Sequence, residues 1–470
     1  MPTECISSAL KYQGLGRRRV VGSFSGGSIT SDAGALLLRE VDHRRGIVSR
    51  VADCFTDYRD EARIEHSVRD LLAQRIYGLA LGYEDLSDHD RLRQDPLWGT
   101  AIGKTDPEGK TRKRSRDLGS SMAGKSTLNR LECTPADTVS RYHRIAWDED
   151  ALANVFVDLY LEAHREAPEE IVLDLDATDD LIHGSQEGRF FHGYYGGYCY
   201  LPLYIFAGRH LLCATLRRSN IDASAGALEE VQRLVERIRQ RWPEVAITLR
   251  ADSGFARDAT MTWCEANRVE FVFGLARNQR LVAMIEGELE HVREAALASG
   301  QSERRFTDLT YRTRKTWSRQ RRVVAKAEYL PGGSRPRSNP RFVVTSLTGV
   351  EAASLYEERY CARGEMENRI KEQQLDLFAD RTSSATMRAN QLRLWFSSLA
   401  YVLIEELRRL GLEATTLARA RAETIRLKLF KVGALVRVSV RRVAVAMSSG
   451  YADAALFAAV LESLQRPPPG

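Results

Sequence analysis

Between residues 165 and 275, apolar runs of strand length are interleaved with amphipathic stretches, and two of the runs stop on an aspartate. Ile171-Val172-Leu173-Asp174-Leu175-Asp176 ends at Asp176, and Val245-Ala246-Ile247-Thr248-Leu249-Arg250-Ala251-Asp252 ends at Asp252. Buried-type strands alternating with helices specify an α/β domain with a mixed sheet, and open sheets of this kind bind ligands near their strand ends. If the strands ending at 176 and 252 are neighbours, their terminal carboxylates converge. They then repel unless a cation lies between them.

The pattern in this stretch reads strand, strand, strand, helix, strand, helix, strand. The strands are Ile171–Ala177, Cys199–Phe206, Leu211–Leu216, Val245–Ala251 and Val269–Leu275. A helix capped at Asp222 carries Leu228, Val231, Leu234, Val235 and Ile238 on one face, and Asp258–Asn267 is a second helix. Residues 276–346 break the alternation. They are polar and basic, with strand-forming pieces at Arg321–Ala327 and Phe342–Thr345 and a turn at Pro331-Gly332-Gly333, and read as a β-rich insert. Helices follow at Ala352–Gln374 and Asn390–Leu410. Residues 1–160 read as a mostly helical DNA-binding or assembly region, with helices over Ala33–Val41 (capped by Ser31-Asp32), Val68–Ala80 and Ser126–Val139, the last broken at Pro135. Residues 165–275 and 347–410 read as the core, 276–346 as the insert, and 411–470 as a helical C-terminal region with one β-like stretch at Ala434–Ala446 and a frayed tail.

Tyr360, Arg363, Glu367 and Lys371 fall on one stripe of the helix after the insert. Taken alone, this is a solvated ladder with Glu367 and Lys371 as an i,i+4 pair. Beside two strand-end aspartates it reads differently. Glu367 is a third carboxylate, Arg363 and Lys371 are phosphate grips, and Tyr360 positions the phosphate. Asp176, Asp252 and Glu367 offer oxygen ligands only, which suits two Mg²⁺ or Mn²⁺ ions and phosphodiester chemistry.

Charge agrees with a nucleic-acid partner through its placement more than its sum. Sixty-nine Lys and Arg face 63 Asp and Glu, for a net charge of +6. One basic cluster holds Arg112, Lys113 and Arg114, and a second holds Arg314, Lys315, Arg319, Arg321 and Arg322 around Trp317. Such runs neutralise phosphates or decorate a solvated face, and composition does not choose between the two. Mean hydropathy is −0.35 and no apolar run approaches a membrane span. The Met1–Cys5 start carries no secretory pattern, and seven scattered cysteines without a C-x-x-C pair suit a reducing cytoplasm.

Several motifs resolve to quieter roles. Gly119–Ser126 fits a phosphate-loop pattern, but the charged residues 113–117 before it cannot form the strand such a loop must follow. His183 and His192 read as structural histidines rather than metal or DNA contacts. Asp88-His89-Asp90 reads as a cap or surface cluster.

The segments Asp174–Asn220 (with His183-Gly184, Gln186-Glu187-Gly188 and Phe191-His192-Gly193-Tyr194-Tyr195), Arg250–Phe255 and Arg363–Arg369, together with Ser31-Asp32-Ala33-Gly34, closely resemble a DDE-type bacterial insertion-sequence transposase. The resemblance implies a ribonuclease H-like core whose last carboxylate follows an insert. It favours Asp176, in Asp176-Ala177-Thr178, over Asp174 as the first acid. It also implies cleavage of the element's ends followed by attack of the freed 3′-hydroxyl on target DNA, with two divalent metals at one site. Implied partners are double-stranded DNA and a second copy of the chain, as a dimer or higher assembly, in a bacterial, nucleoid-associated setting with no membrane. Some members pass through a DNA hairpin with an insert tryptophan stacked on an unpaired base, and Trp317 is placed for this or for packing a small β layer. One departure stands out: a related pattern has lysine seven residues after the glutamate, where this chain has Gln374. A stand-alone metal nuclease and a non-catalytic DNA-binding repressor are the competing functions.

Overall fold

The computed structural model describes residues 9–135, 140, 142–332 and 337–466. The Met1–Cys5 start, the end of the expected helix at Val139, the last residue of the Pro331-Gly332-Gly333 turn and the tail at 467–470 lie outside them. The chain forms two compact units, where the sequence suggested four regions. One unit comprises residues 1–149, 376–378 and 396–470, and the other comprises 150–375 and 379–395.

In the first unit, Val68–Ala80 is a helix with the bounds its periodicity predicts. Ser67 accepts from the backbone of Asp70 while Asp70 accepts from that of Ser67, so two otherwise unpaired N–H groups are satisfied at its start. Its buried face joins Leu37, Leu38 and Val41 of helix Ala35–Arg45, and Trp98, in the unit's apolar interior. Asp32 does not cap that helix. It is buried, and its carboxylate accepts from the Tyr83 hydroxyl at 2.8 Å, Trp98 Nε1 at 3.0 Å and Lys431 Nζ at 2.8 Å. Gly34 has to be glycine, because a Cβ there would lie 1.9 Å from the carbonyl oxygen of Leu429. The Ser31–Gly34 motif is thus a joint that fixes the N-terminal helix to the Leu429–Val432 segment. The β-like stretch near 434–446 is a hairpin, Ala434–Val438 with Val443–Met447, edged by Ile29–Thr30.

In the second unit, Glu170–Ala177 pairs antiparallel with Leu203–Ala207, which pairs with His210–Thr215. On its other side Glu170–Ala177 runs parallel to Ala246–Ala251, and that strand runs parallel to Glu270–Leu275. Three antiparallel strands followed by two parallel ones form the ribonuclease H-like sheet expected. The insert extends this sheet instead of building a separate layer: Arg341–Thr345, Arg321–Leu330 and Glu303–Tyr311 continue it beyond Glu270–Leu275. It also opens on two helices, Gln279–Met284 and Glu286–Ser299, which its polar composition concealed. Leu281, Ile285, Val292 and Ala296 are buried, with Val282 and Leu289 partly buried against the core, too thin a stripe to read against the surrounding charge.

Two further expectations change. The run Cys199–Phe206 is two strands, Gly197–Tyr200 and Leu203–Ala207, because Pro202 interrupts it. The first half leaves the main sheet and forms a small one with Asp180–Leu181 and Phe190–His192. Asp222 does not cap the helix Ala227–Arg241, which starts after Gly226, but bonds Ser224 and pairs with Arg257 at 2.7 Å. No helix among the described residues is long and apolar enough to cross a membrane.

Candidate active site

The parallel pairing sets the site. Ala251 is opposite Leu175, so the next residues, Asp252 and Asp176, leave adjacent strand ends at the same level. Asp252 is fixed further by accepting from the Gly254 backbone at 2.8 Å, which turns the chain away and leaves the carboxylate at the edge. The helical segment after the insert changes pitch on its way in. Leu355–Tyr360 is a π-helical stretch, Cys361–Arg363 a 3₁₀ turn, and Gly364–Leu377 an α-helix. Such a change of pitch rotates the side-chain stripe and is frequent at functional sites.

Arg363 lies among the acids. Its Nη2 donates to Glu367 Oε1 at 2.6 Å, and its Nη1 stands 3.5 Å from Asp176 Oδ1. Burial pushes the Asp176 carboxyl up to about 7, with the charges of Asp252 and Glu367 adding to the rise and Arg363 opposing it. The three acidic residues therefore share one electrostatic environment. Tyr360 is held at the same place. Its hydroxyl would be 2.6 Å from a Cβ on Gly274, in the strand beside Asp252, so glycine there makes room for it. A hollow of about 310 Å³ beside Asp252 is lined by Ser253, Gly274, Arg277, Arg341, Tyr356 and Tyr360. Lys371 is exposed with no ion-pair partner among the described residues, and Glu367 pairs with Arg363 rather than with Lys371.

Asp174 points into a different arrangement. Arg250, its cross-strand neighbour, clamps it with Nε–Oδ1 at 2.5 Å and Nη2–Oδ2 at 2.7 Å, with Asp174 buried and Arg250 largely covered. Its charge is spent on the sheet, which leaves Asp176 as the available acid. Arg250 was not singled out from the sequence, although its place opposite Asp174 follows from pairing two strands that each carry a charge inside an apolar run. Gln374 was noted only as a departure. Its amide donates to the Asp179 carbonyl at 3.0 Å, tying the helix of Glu367 to the chain just past the first core strand.

The donor set fits hard divalent cations in kind: oxygen only, anionic, with one acid driven up by burial and then by its neighbours. The spacing is that of two carboxylates, Asp176 and Glu367, sharing an arginine with the third nearby, since among the described residues no three ligating side chains close on a common point.

The other candidates divide. Trp317 is core: 7% exposed, edge-on to Tyr311 at 5.7 Å and covered by the Arg321 guanidinium, so it offers no face to a base. Arg321 is buried and paired with Asp258 and Glu265, each at 2.7 Å, Arg319 also pairs with Glu265, and Arg322 pairs with Asp308. Arg321 is a buried structural cation and Arg322 is partly buried, while Arg319, although paired, is exposed, as are Arg314 and Lys315. His89 is not at the surface. It is buried against Gln74 at 3.1 Å and Arg75, and burial drives its imidazole well below the ordinary value. No strand precedes Gly119–Ser126; a 3₁₀ turn and loop do.

The first basic cluster belongs to something larger. Within the first unit, a cavity of about 1000 Å³ is lined by nine Arg or Lys side chains and three Asp or Glu. That excess equals the +6 of the entire chain, so the rest of the protein is close to neutral. Arg112 is partly tied to Glu65 at 2.8 Å and to His66 Nε2 at 2.7 Å, and Lys113 reaches the Ala62 carbonyl, while Arg114 is exposed. The helix Lys125–Glu132 begins at this cavity with Gly124, Ser126 and Thr127 on the wall. Arg116, the end of the same sequence cluster, also lines it, as do Arg59, Arg63, Arg93, Arg130 and Arg144, which come from separate segments and do not stand out in the sequence.

Among solved structures, the chain is similar to a piggyBac transposase in a synaptic complex with hairpin DNA, at 12% identity, over 85% of this chain and 79% of that one, with a TM-score of 0.39. A likeness that loose carries no argument about this chain's chemistry. No curated protein matches the chain. The family model described as transposase DDE domain group 1 matches residues 12–469, and the chain belongs to that family.

Proposed function

We propose that this transposase cuts the ends of its own element and joins the freed 3′-hydroxyl to target DNA, using Asp176, Asp252 and Glu367 as its acidic set. The observation that carries the reading is that Asp176 and Glu367, from a strand end and a helix, meet at Arg363, while Asp252 leaves the adjacent strand end level with Asp176 and within electrostatic reach of both Asp176 and Arg363. When bound, two Mg²⁺ or Mn²⁺ ions would be held by those three acids and would supply activation of the attacking hydroxyl and stabilisation of the leaving oxygen. Arg363 lies where a scissile phosphate beside the acids meets a guanidinium, and Tyr360 offers a hydroxyl at the same level. The exposed Lys371 and the pair Arg314 and Lys315 supply further phosphate contacts. The basic cavity of the first unit grips duplex backbone through charge, independent of sequence, and a second copy of the chain brings the two ends together.

A strand-transfer assay with a duplex carrying the element's own ends tests this. Cleavage and joining in Mg²⁺ are expected from the native protein, and Asp252→Asn is expected to bind the ends without cutting them. Cleavage without joining would make the protein a nuclease, and binding without either would make it a repressor. Full cleavage by Asp252→Asn would remove Asp252 from the site.

A further inference from the structure

Trp317, buried, presents no face to a base, yet the second unit exposes several aromatic rings elsewhere. The small sheet that branches off after Ala177 carries them. Phe191 is 60% exposed, Tyr198 48%, and Tyr194, at the turn between the strands, 87%. Phe191 is paired across the hairpin with Tyr198, and their rings meet edge to face at 5.7 Å. The Arg189 guanidinium lies 4.9 Å over the Tyr198 ring. Residues 188–198 include no carboxylate. With Phe190 also exposed, four aromatic rings are left in water within residues 190–198, which is costly as solvent-facing decoration, so the surface is made for a partner.

Its position narrows the partner. Asp180–Leu181, the hairpin's neighbouring strand, begins three residues after Ala177, and Gln374 of the Glu367 helix bonds the Asp179 carbonyl between them. Burial raises the Tyr195 phenol to about 12, and the charges of Asp179 and Asp176 add to the rise, so Tyr195 is within electrostatic reach of Asp176. Tyr195 in turn packs on Tyr194 at 5.0 Å. A polymer held at Asp176 therefore passes the hairpin.

We propose that the hairpin over residues 189–198 is a stacking platform for unpaired bases of the DNA strand next to the cut, with Tyr194, Phe191 and Tyr198 as the rings and Arg189 as the cationic rim. Rings plus a guanidinium, without acids, suit single-stranded nucleic acid: every base has a face to stack and every phosphate repels carboxylates. Gln374 is a positioning residue here, and the amide in place of lysine holds the platform to the helix of Glu367. This rests on the proposed DNA-cutting function, and it assigns the platform a strand that is unpaired while at the site.

The test uses the full chain in EDTA, so that nothing is cut, with two probes of one sequence: a fully paired duplex, and the same duplex with a three-nucleotide single-stranded gap carrying one 2-aminopurine. The native protein is expected to bind the gapped probe at least about tenfold more tightly and to quench its fluorescence. Phe191→Ala with Tyr194→Ala is expected to abolish that preference and the quenching while leaving affinity for the paired duplex unchanged, and Tyr194→Phe is expected to retain both. Equal binding of both probes by the native protein, or an unaltered preference in the double variant, overturns the proposal while leaving the cutting function intact. Loss of paired-duplex binding together with loss of self-association in light scattering would make the hairpin a contact between copies, and also overturns it. If the native protein binds neither probe, the DNA-cutting reading falls as well.

Discussion

The acid cluster of the second unit and the basic cavity of the first concentrate opposite charge by opposite means. In the cluster, a strand end and a helix bring two carboxylates to one guanidinium, and the backbone pairing of Ala251 with Leu175 sets the third, Asp252, at the neighbouring strand end. In the cavity, nine cations arrive from loops and short helices between residues 59 and 144, with three acids among them. Each holds a titratable group pushed as its surroundings dictate. Asp176 rises to about 7, chiefly through burial and then through neighbouring acids. His66 falls to about 3, chiefly through burial and then through Lys104 and Arg112. The difference separates two tasks. A few fixed charges at a rigid sheet edge suit chemistry, which needs atoms placed closely. Many charges on a wide concave wall suit retention of a polyanion, which needs only their sum.

The sharpest way to break the comparison is to ask which strand aspartate belongs to the cluster. Asp176→Asn is expected to lower Mg²⁺-dependent cleavage by about a thousandfold or more, roughly 4 kcal/mol of barrier, with binding of the ends unchanged. Asp174→Asn is expected to do the reverse. The folded fraction cuts normally, but chemical denaturation shows a loss of about 3 kcal/mol, because Arg250 is left buried without its counter-charge. If Asp174→Asn is the variant that cannot cut, the arginine clamp has been misjudged and the cluster must be redrawn around Asp174.

The cavity is tested by its salt dependence. Arg63 and Arg114 are exposed on its wall, and Arg63→Glu with Arg114→Glu is expected to weaken duplex binding about tenfold to a hundredfold at moderate ionic strength. The slope of log affinity against log salt is expected to fall by about two. Cleavage at saturating DNA should be unchanged, since neither residue belongs to the acid cluster. A variant that keeps its salt slope but cuts slowly would show that the cavity serves the chemistry and not retention.

What could be read in the sequence follows the same division. The strands ending at Asp176 and Asp252 were legible because strand pairing is encoded locally in unbroken apolar runs, and Val68–Ala80 because its period and its Ser67–Asp70 cap agree. Partnerships across long loops were not legible. The basic run around Trp317 looks like a nucleic-acid surface, but Arg321 is neutralised by Asp258 and Glu265, more than fifty residues upstream. Asp32 resembles a helix cap, while its partners Tyr83, Trp98 and Lys431 are spread along the chain. Of the cavity only Arg112, Lys113, Arg114 and Arg116 form a visible cluster. Charges that act by their sum need not be adjacent in sequence, whereas an acid ending a buried strand announces itself by interrupting apolar residues.

The smallest expected effect concerns His66, and it distinguishes a cavity that is merely positive from one whose positive charge reshapes its own wall. Arg112 Nη1 stands 2.7 Å from His66 Nε2, so the imidazole is neutral and accepts from the guanidinium. Its folded value lies near 3 against an ordinary 6.5. From pH 6.5 downward the unfolded chain takes up a proton that the folded chain refuses. Stability is therefore complete above pH 6.5 and is lost as pH falls through the window toward 3. Between pH 6.5 and 5 the loss is about 2 kcal/mol. His66→Gln keeps an acceptor for Arg112 and cannot titrate, so its melting temperature is expected to fall less than that of the native protein over this range. Parallel melting curves for the two proteins would mean that His66 protonates freely in the folded state. The cavity's charge would then be screened by solvent at its own wall and no stronger a field than an open surface.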